Sequence, residues 1–205
     1  MKKLIILLLI SLASGSLFAV PVADTRMPDV IVQEATQYIL TSLDDRYEEF
    51  ARHPERLNEL VNKDMLPLID TEYSARLILG RAGRGATPEQ ISEFAVAMSD
   101  NLLNRYAEGL LEIQTDQKVE VLPLKGKNTE KLTRVRTRLT LDTGSQVPID
   151  FAFRKTDLGW KAFDITIEGI SYVMTYRNQI SPRVMAEGID KVTADIRAGN
   201  IELEE

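Results

Sequence analysis

The hydrophobic period of this chain changes near Thr115 from that of helices to that of strands, and this change limits the folds that the chain can adopt. Before that point, apolar residues recur every three or four positions, as they do on amphipathic helices. From there to about Gly169, apolar and polar residues alternate, as they do on strands of a sheet with one solvent-exposed face. Helices followed by strands indicate an α+β fold rather than alternating α/β units.

Proline and helix-capping residues divide the helical half into four predicted helices. The clearest boundary is Thr87-Pro88-Glu89-Gln90, a capping box with proline at the first helical position. His53-Pro54 and Leu66-Pro67 each end a helix, because the residue before a proline is pushed out of the α region. The predicted helices cover residues 27–53, 54–66, 72–79 and 87–113.

The strand half contains four segments in which apolar residues alternate with polar ones. Asp142-Thr143-Gly144-Ser145 and Asp157-Leu158-Gly159 join consecutive strands as hairpin turns, so the strands are predicted to be antiparallel. The sheet is predicted to end at Gly169. The strands are expected at 118–122, 134–141, 147–154 and 163–167, and two helices follow at 171–187 and 189–198.

The composition excludes several kinds of chemistry. The chain has no cysteine, which excludes disulfides, thiolate catalysis, iron–sulfur clusters, cysteine-ligated zinc and a lipid anchor on an N-terminal cysteine. His53 is its one histidine, which excludes a multi-histidine metal site. We therefore expect no cofactor and no metal. The net charge of −6 disfavours nucleic acid as a partner, and it disfavours electrostatic binding to anionic membranes.

The N-terminus has the pattern of a secretory signal peptide. Lys2 and Lys3 precede an apolar run from Leu4 to Ile10, which is shorter than the about 20 residues that span a membrane. Small residues follow and favour cleavage after Ala19. The alternative is an uncleaved N-terminal anchor. We expect a signal peptide at 1–19 and a single exported domain at 20–205.

The two faces of the predicted sheet differ in character. The inner face is apolar and meets the helices either in a solid core or across a cavity, and the residue pattern does not distinguish these arrangements. The outer face carries Arg134, Arg136 and Arg138, either as solvated side chains or as a contact surface for an acidic partner. The inner-face residues are Val135, Leu139, Val147, Ile149, Phe151, Phe153, Phe163 and Ile165.

Two stretches of the sequence resemble the MlaC family, also called the toluene-tolerance family. The order and spacing of their motifs extend the resemblance over essentially the whole mature chain. The motifs of the first stretch are Met65–Asp70, Ala75-Arg76, Leu79-Gly80 and Ala86–Gln90, with Phe94 and Tyr106-Ala107. The motifs of the second stretch are Trp160–Ile165, Glu168–Ser171, Thr175–Arg177 and Gly188–Asp190.

The resemblance implies a twisted four-stranded antiparallel sheet packed against six or seven helices, with an apolar pocket for acyl chains between them. It also implies a function without catalysis, namely a periplasmic phospholipid carrier that shuttles lipids between the outer and inner membranes and maintains outer-membrane lipid asymmetry. The implied partners are phospholipid, an outer-membrane lipoprotein complex and an inner-membrane ABC transporter with an MCE domain. We expect a monomer.

The site expected from the resemblance has an apolar part and a polar part. The head group is placed at the start of the helix after Gly169, where free N–H groups and the helix dipole favour a phosphate. Its predicted residues are Ser171, Thr175 and Arg177, although Ser171 could equally serve only as a helix cap. The predicted tail-binding residues are the eight inner-face residues named above, together with Met98 and Leu102 of the fourth helix.

The competing function is catalytic. An exported hydrolase could use a carboxylate such as Asp164 or Glu168 as a general acid or base. The sequence has no G-x-S-x-G motif and no Ser–His–Asp set, which leaves nucleophilic catalysis without a candidate. Intact phospholipid extracted from the purified protein would favour the carrier, and turnover would favour the hydrolase.

Overall fold

The computed structural model describes residues 24–111, 118–124, 128–141 and 143–201 of the 205-residue chain. The predicted signal peptide and Asp142 of the first predicted turn lie outside the described residues. Within them, six α-helices and one antiparallel sheet form the α+β fold that the sequence predicts. The helices are α1 (Pro28–Arg52), α2 (Pro54–Leu60), α3 (Thr71–Leu79), α4 (Pro88–Leu111), α5 (Tyr172–Glu187) and α6 (Ile189–Arg197). The strands are β1 (Lys118–Val121), β2 (Leu132–Thr140), β3 (Gln146–Thr156), β4 (Gly159–Ile167) and β5 (Ile170–Ser171).

The first three helices begin at residues that the sequence marks. A proline stands in the first turn of both α1 and α2, where its missing N–H costs no hydrogen bond. The Asp70 carboxylate accepts a hydrogen bond from the Tyr73 N–H at 3.0 Å and caps α3. The second helix is shorter than predicted, since α2 ends at Leu60 and the prediction extends to residue 66. A π-helical turn, Val61–Met65, and a 3₁₀ turn, Leu66–Leu68, replace its last part.

The strands lie in the order β1-β2-β3-β4-β5, and each pairs antiparallel with its neighbour. Val135, Phe151 and Ile165 stand opposite one another across the three central strands, so the predicted apolar face forms. The prediction that the sheet ends at Gly169 is wrong, because one more short strand, β5, follows this residue. Glu168 and Gly169 both have positive φ, 50° and 88°, and form a two-residue hairpin turn that continues the sheet as β5.

A β-bulge in β4 interrupts the predicted alternation of this strand. The register shifts between Ala152 and Phe153 of β3, which leaves Phe163 as an extra residue on β4. The Phe163 ring packs edge-on against the Tyr73 ring of α3, with 5.1 Å between the centroids. The strict alternation predicted for Phe163 and Ile165 therefore does not hold, because the bulge inserts one residue between the two halves of the strand.

The buried apolar residues of the described part form three separate clusters. The helical core lies between α3, α4, α5 and α6 and includes Phe94, Tyr176 and Ile180. Helices therefore pack chiefly on one another, and the sheet contributes to only one of the clusters. The sheet core consists of Ile31, Val32, Val135, Phe153, Trp160 and Ala162. The α1–α2 core consists of Leu43, Phe50, Leu57 and Leu60.

The residues before α1 are fixed to the turn between β3 and β4. The Asp24 N–H donates to the Leu158 carbonyl at 2.9 Å, and Asp24 forms a β-bridge with Gly159. The Asp24 carboxylate binds the Arg26 guanidinium at 2.6 Å, and Arg26 also binds Glu34 of α1 at 2.6 Å. The hydrogen bond from Arg26 lowers the pKa of Asp24 below its ordinary value of 3.8.

We expect the Asp24 ion pair to stabilise the fold at neutral pH and to be lost in acid. A carboxyl whose pKa is lowered by folding contributes stability while it is ionised, and the contribution disappears as the pH falls through the folded pKa. Asp24→Asn should lower the free energy of unfolding by up to about 1 kcal/mol at neutral pH. The difference from the unsubstituted chain should vanish at an acidic pH below the folded pKa of Asp24.

Urea unfolding at both pH values measures this difference. Asp157→Asn is the matched control, because Asp157 is an exposed acid in the β3–β4 turn to which Asp24 is bound. An equal loss of stability at both pH values in Asp24→Asn would show that the ionised pair is not the source of the effect.

Candidate functional site

The inner face of the sheet is closed at one end and open at the other. Val135 and Phe153 are buried against Ile31 and Val32 of α1. Towards the β4–β5 turn, the apolar residues of the inner face are only half-buried, whereas Thr137 on the same face is buried. We call this region the open apolar face, and it comprises Leu139, Val147, Ile149, Phe151, Ile165 and Ile167. An apolar surface that the fold leaves half-exposed is typical of a binding site for an apolar ligand.

A depression adjoins the open apolar face at the β4–β5 turn. Its volume is about 130 Å³, which is close to the about 150 Å³ of a protein cavity that holds one benzene molecule. It is therefore large enough for a small chemical group and too small for a pair of acyl chains. Its lining combines isoleucines with residues that bear a hydroxyl group or a carboxylate. The lining residues are Ile167, Glu168, Ile170, Tyr172 and Thr175.

The structure brings half of the predicted tail-binding residues together in the open apolar face: Leu139, Val147, Ile149, Phe151 and Ile165. Val135 and Phe153 belong to the buried sheet core, and Phe163 packs on α3. Met98 is buried in the helical core and Leu102 packs against it, so these two lie in a different cluster from the sheet residues. Contact of these ten residues with a lipid stays a prediction.

Two side chains cap the start of α5. Ser171 Oγ accepts a hydrogen bond from the Met174 N–H at 3.1 Å, and Asp164 Oδ1 accepts one from the Val173 N–H at 3.0 Å. Ser171 also donates its hydroxyl proton to Asp164 Oδ2 at 2.6 Å. Ser171 therefore has the capping role that the sequence left open. The Asp164 carboxylate supplies the negative charge that the positive end of the helix dipole favours.

Thr175 and Arg177, the other two predicted head-group residues, lie in different surroundings. Thr175 lines the depression. The Arg177 guanidinium lies against Gly80 at the C-terminal end of α3, where a Cβ on Gly80 would be 2.9 Å from Arg177 Nε. A cation at this end of α3 faces the negative end of its dipole. Of these three residues, Thr175 alone is among those that line the depression, and the contact of all three with a head group stays a prediction.

The sequence analysis missed part of the depression. Ile167, Ile170 and Tyr172 were not predicted as site residues, and Glu168 was considered only as a hydrolase acid. The signal that could have found them is the pair Glu168-Gly169 between β-branched residues, which is a two-residue hairpin pattern. Such a hairpin turns the chain back at the sheet edge and places Ile170 beside Ile167.

The outer-face arginines are partly neutralised by the sheet itself. Arg134 Nη1 lies 3.4 Å from Asp150 Oδ2, and Arg138 Nη1 lies 3.6 Å from Glu120 Oε2. Arg136 Nη2 donates to the Pro123 carbonyl at 3.4 Å, and Arg136 Nε finds no acceptor in the described part of the chain. Both interpretations of this stripe, solvated side chains or a surface for an acidic partner, remain compatible with the structure.

Comparison with known proteins identifies the family. A sequence model described as the MlaC protein matches residues 33–198. The chain belongs to the MlaC family. The match to the MlaC family begins in α1 and ends after α6, so it includes the whole sheet and the depression. The resemblance noted in the sequence is thereby confirmed.

Two curated proteins and one solved structure are similar to this member of the MlaC family. The toluene tolerance protein ttg2D of Pseudomonas putida is 26% identical over 197 residues, which cover 95% of this chain and 89% of that protein. The intermembrane phospholipid transport system binding protein MlaC of Haemophilus influenzae is 22% identical over 174 residues, which cover 83% of this chain and 80% of that protein.

The solved structure is a phospholipid-binding protein from Ralstonia solanacearum in complex with a phospholipid. It matches with a TM-score of 0.71 at 23% identity, and the match covers 82% of this chain and 97% of that chain. The similarity confirms that this MlaC-family chain has the α+β fold predicted for it.

Of the two carboxylates considered for a hydrolase, one takes part in the cap of a helix and the other lies on an exposed turn of this MlaC-family fold. Both oxygens of Asp164 accept hydrogen bonds that cap α5 or bind its cap residue. Glu168 is exposed on a hairpin turn. Within residues 24–111, 118–124, 128–141 and 143–201, no three His, Asp or Glu side chains are grouped to hold a metal ion. No helix in those ranges combines the length and apolarity needed to cross a membrane.

Ser171→Ala is expected to lower the free energy of unfolding by about 1 kcal/mol, because it removes the cap of α5. The content of bound lipid should not change, because the Ser171 hydroxyl already donates its proton to Asp164. Thermal unfolding and lipid extraction of the same preparation measure the two effects. Ser181→Ala is the matched control, since Ser181 donates to the Leu79 carbonyl within the helical region. Lost lipid in Ser171→Ala alone would assign Ser171 to the head group.

Proposed function

We propose that this protein carries phospholipids through the periplasm between the outer and inner membranes and so maintains the lipid asymmetry of the outer membrane. The observation that carries the proposal is the open apolar face beside a depression lined partly by polar residues. A molecule with apolar tails and a small polar head matches both surfaces. The names of two similar proteins, which describe phospholipid binding and intermembrane phospholipid transport, support this assignment.

The energetic reason for such a carrier lies in the acyl chains. Each CH₂ group that leaves water gains about 0.8 kcal/mol, so a chain of about 16 carbons left in water costs about 12 kcal/mol. A carrier removes this cost by covering the chain with apolar side chains during its passage. We place the tails along the open apolar face, with Ile149 and Phe151 of β3 near its centre.

The head group is placed at the depression, where the chain offers hydrogen-bonding groups. The Thr175 and Tyr172 side chains form part of its wall. The Ser171 hydroxyl keeps acceptor capacity but gives its proton to Asp164, so it is poorly placed to donate to a phosphate. Arg177 would have to leave Gly80 before it could reach a head group.

The proposed location and partners follow from the family and the N-terminal sequence. Residues 1–19 are proposed to be a signal peptide that directs the chain to the periplasm. An outer-membrane lipoprotein complex and an inner-membrane ABC transporter with an MCE domain are proposed as the two docking partners. The carrier itself needs no cofactor and no catalytic step, since its cargo leaves chemically unchanged.

Solvent extraction of the purified protein, followed by mass spectrometry and a phosphate assay, tests the proposal. We expect intact phospholipid at about one molecule per chain. Cleaved phospholipid would support the hydrolase and overturn the carrier. Complete absence of lipid from the protein, both as purified and after incubation with phospholipid vesicles, would also overturn the carrier.

A further inference from the structure

The lining of the depression carries negative charge. Glu168 is the one ionisable acid or base among its lining residues other than the phenol of Tyr172. Arg177, the positively charged residue that the sequence analysis predicted near the head group, lies against Gly80 instead. The helix dipole of α5 is already matched by the Asp164 carboxylate. A head group that brings only a negative phosphate therefore finds no compensating positive charge at this wall.

Glu168 occupies a backbone conformation that glutamate does not favour. With φ at 50°, it is the one non-glycine residue of the described part that has a positive φ. Two-residue hairpin turns of this type prefer Asn, Asp or Gly at this position, because other L-residues crowd their own Cβ. The turn would form more easily with those residues. Sparsely populated conformations of this kind concentrate at functional sites. We therefore attribute the glutamate at this position to a function of its side chain rather than to the needs of the turn.

The position of Glu168 is fixed while its side chain stays in solvent. The Glu168 N–H donates to the Pro148 carbonyl of β3 at 3.0 Å, and the flanking residues Ile167 and Ile170 pair with each other. The side chain is exposed and forms no ion pair with a described residue. A carboxylate that is held at the rim of a depression and has no partner is suited to bind a cation that arrives with a ligand.

We infer that Glu168 selects phospholipids whose head group carries an ammonium group, such as phosphatidylethanolamine, over those whose head group carries only the phosphate charge, such as phosphatidylglycerol. The ammonium pairs with the Glu168 carboxylate, and the phosphate lies towards the Thr175 hydroxyl. The inference rests on the proposed function as a phospholipid carrier. It adds that the protein distinguishes between head groups, through a residue on the turn between β4 and β5.

The test is a competition between two lipids on the purified protein. The protein is incubated with vesicles that contain equal amounts of phosphatidylethanolamine and phosphatidylglycerol, re-isolated and extracted. Mass spectrometry gives the ratio of the two bound lipids, and a phosphate assay gives the total lipid per chain. The unsubstituted protein should hold more phosphatidylethanolamine. Glu168→Gln should reduce the ratio by about two- to fivefold, the effect of losing one exposed ion pair.

Matched variants separate the charge from the turn. Glu168→Asp keeps the charge and should keep most of the preference for phosphatidylethanolamine. Asp157→Asn removes an exposed acid from the β3–β4 turn and should leave the ratio of the two bound lipids unchanged. High salt should bring the unsubstituted protein towards the ratio of Glu168→Gln. An unchanged ratio in Glu168→Gln at full occupancy overturns the inference and leaves the carrier intact. No phospholipid on the unsubstituted protein overturns the carrier itself, and the inference with it.

Discussion

Ile149→Glu should abolish stable phospholipid binding while the chain stays folded. Ile149 lies on β3 within the open apolar face, opposite Thr137 of β2 and Ile167 of β4. The residue is half-buried, so a carboxylate at this position can reach solvent in the empty protein. With a tail bound, the same carboxylate would be buried against hydrocarbon without a partner, which costs several kcal/mol. We expect lipid affinity to fall by more than about 100-fold.

The phosphate content of purified Ile149→Glu measures this loss, and circular dichroism shows whether the variant is folded. Pro148→Glu is the matched control, because it adds the same charge at the neighbouring residue, which is exposed on the opposite face of the strand. This control should keep about one phospholipid per chain. A folded Ile149→Glu protein with a full complement of phospholipid would show that the tails do not lie on the open apolar face.

Gly159→Ala should destabilise the fold strongly. A Cβ at Gly159 would lie 2.2 Å from the Asp24 carbonyl oxygen, and the backbone φ of 105° is one that alanine rarely adopts. Relief of the contact would break the β-bridge between Asp24 and Gly159 and release the segment that precedes α1. We expect the free energy of unfolding to fall by about 3 kcal/mol, which corresponds to a decrease in Tm of about 10 °C for a chain of this size.

Gly144→Ala separates the two causes of this effect. Gly144 also has a positive φ, 80°, but no atom lies within 4 Å of the position of its Cβ. It should therefore lose only the conformational term, about 1–2 kcal/mol. Thermal unfolding of both variants gives the difference, which belongs to the contact with Asp24. Equal losses in the two variants would mean that the segment before α1 moves away from Gly159 at little cost.

The sequence predicted those parts of the fold that depend on local chemistry. The capping box forms as expected, since the Gln90 N–H donates to Thr87 Oγ1 at 3.2 Å and the Thr87 N–H donates to Gln90 Oε1 at 3.0 Å. The inner sheet face forms because a period of two places Val147, Ile149 and Phe151 on the same side of β3. These features need only neighbours along the chain, so a single sequence contains them.

Features that depend on distant contacts were not predictable. The bulge at Phe163 is stabilised by Tyr73, ninety residues earlier, and Arg177 lies against Gly80 because α3 and α5 pack together. Neither contact leaves a periodic pattern in the sequence. Helical spacing alone also does not identify which neighbour a helix face packs against. The structure places Met98 in the helical core with Leu102 packed against it, and the contact of these two residues with a lipid stays a prediction.

The division of the buried residues into three clusters has a consequence for the dynamics of the native state. The helical core and the sheet core share no buried residue, so disruption of one does not directly expose the other. Proteins organised in this way open in cooperative sub-units with different free energies rather than only as a whole. Amide hydrogen exchange should therefore separate α4 and α6, which exchange together, from β2 and β3, which exchange as a second group.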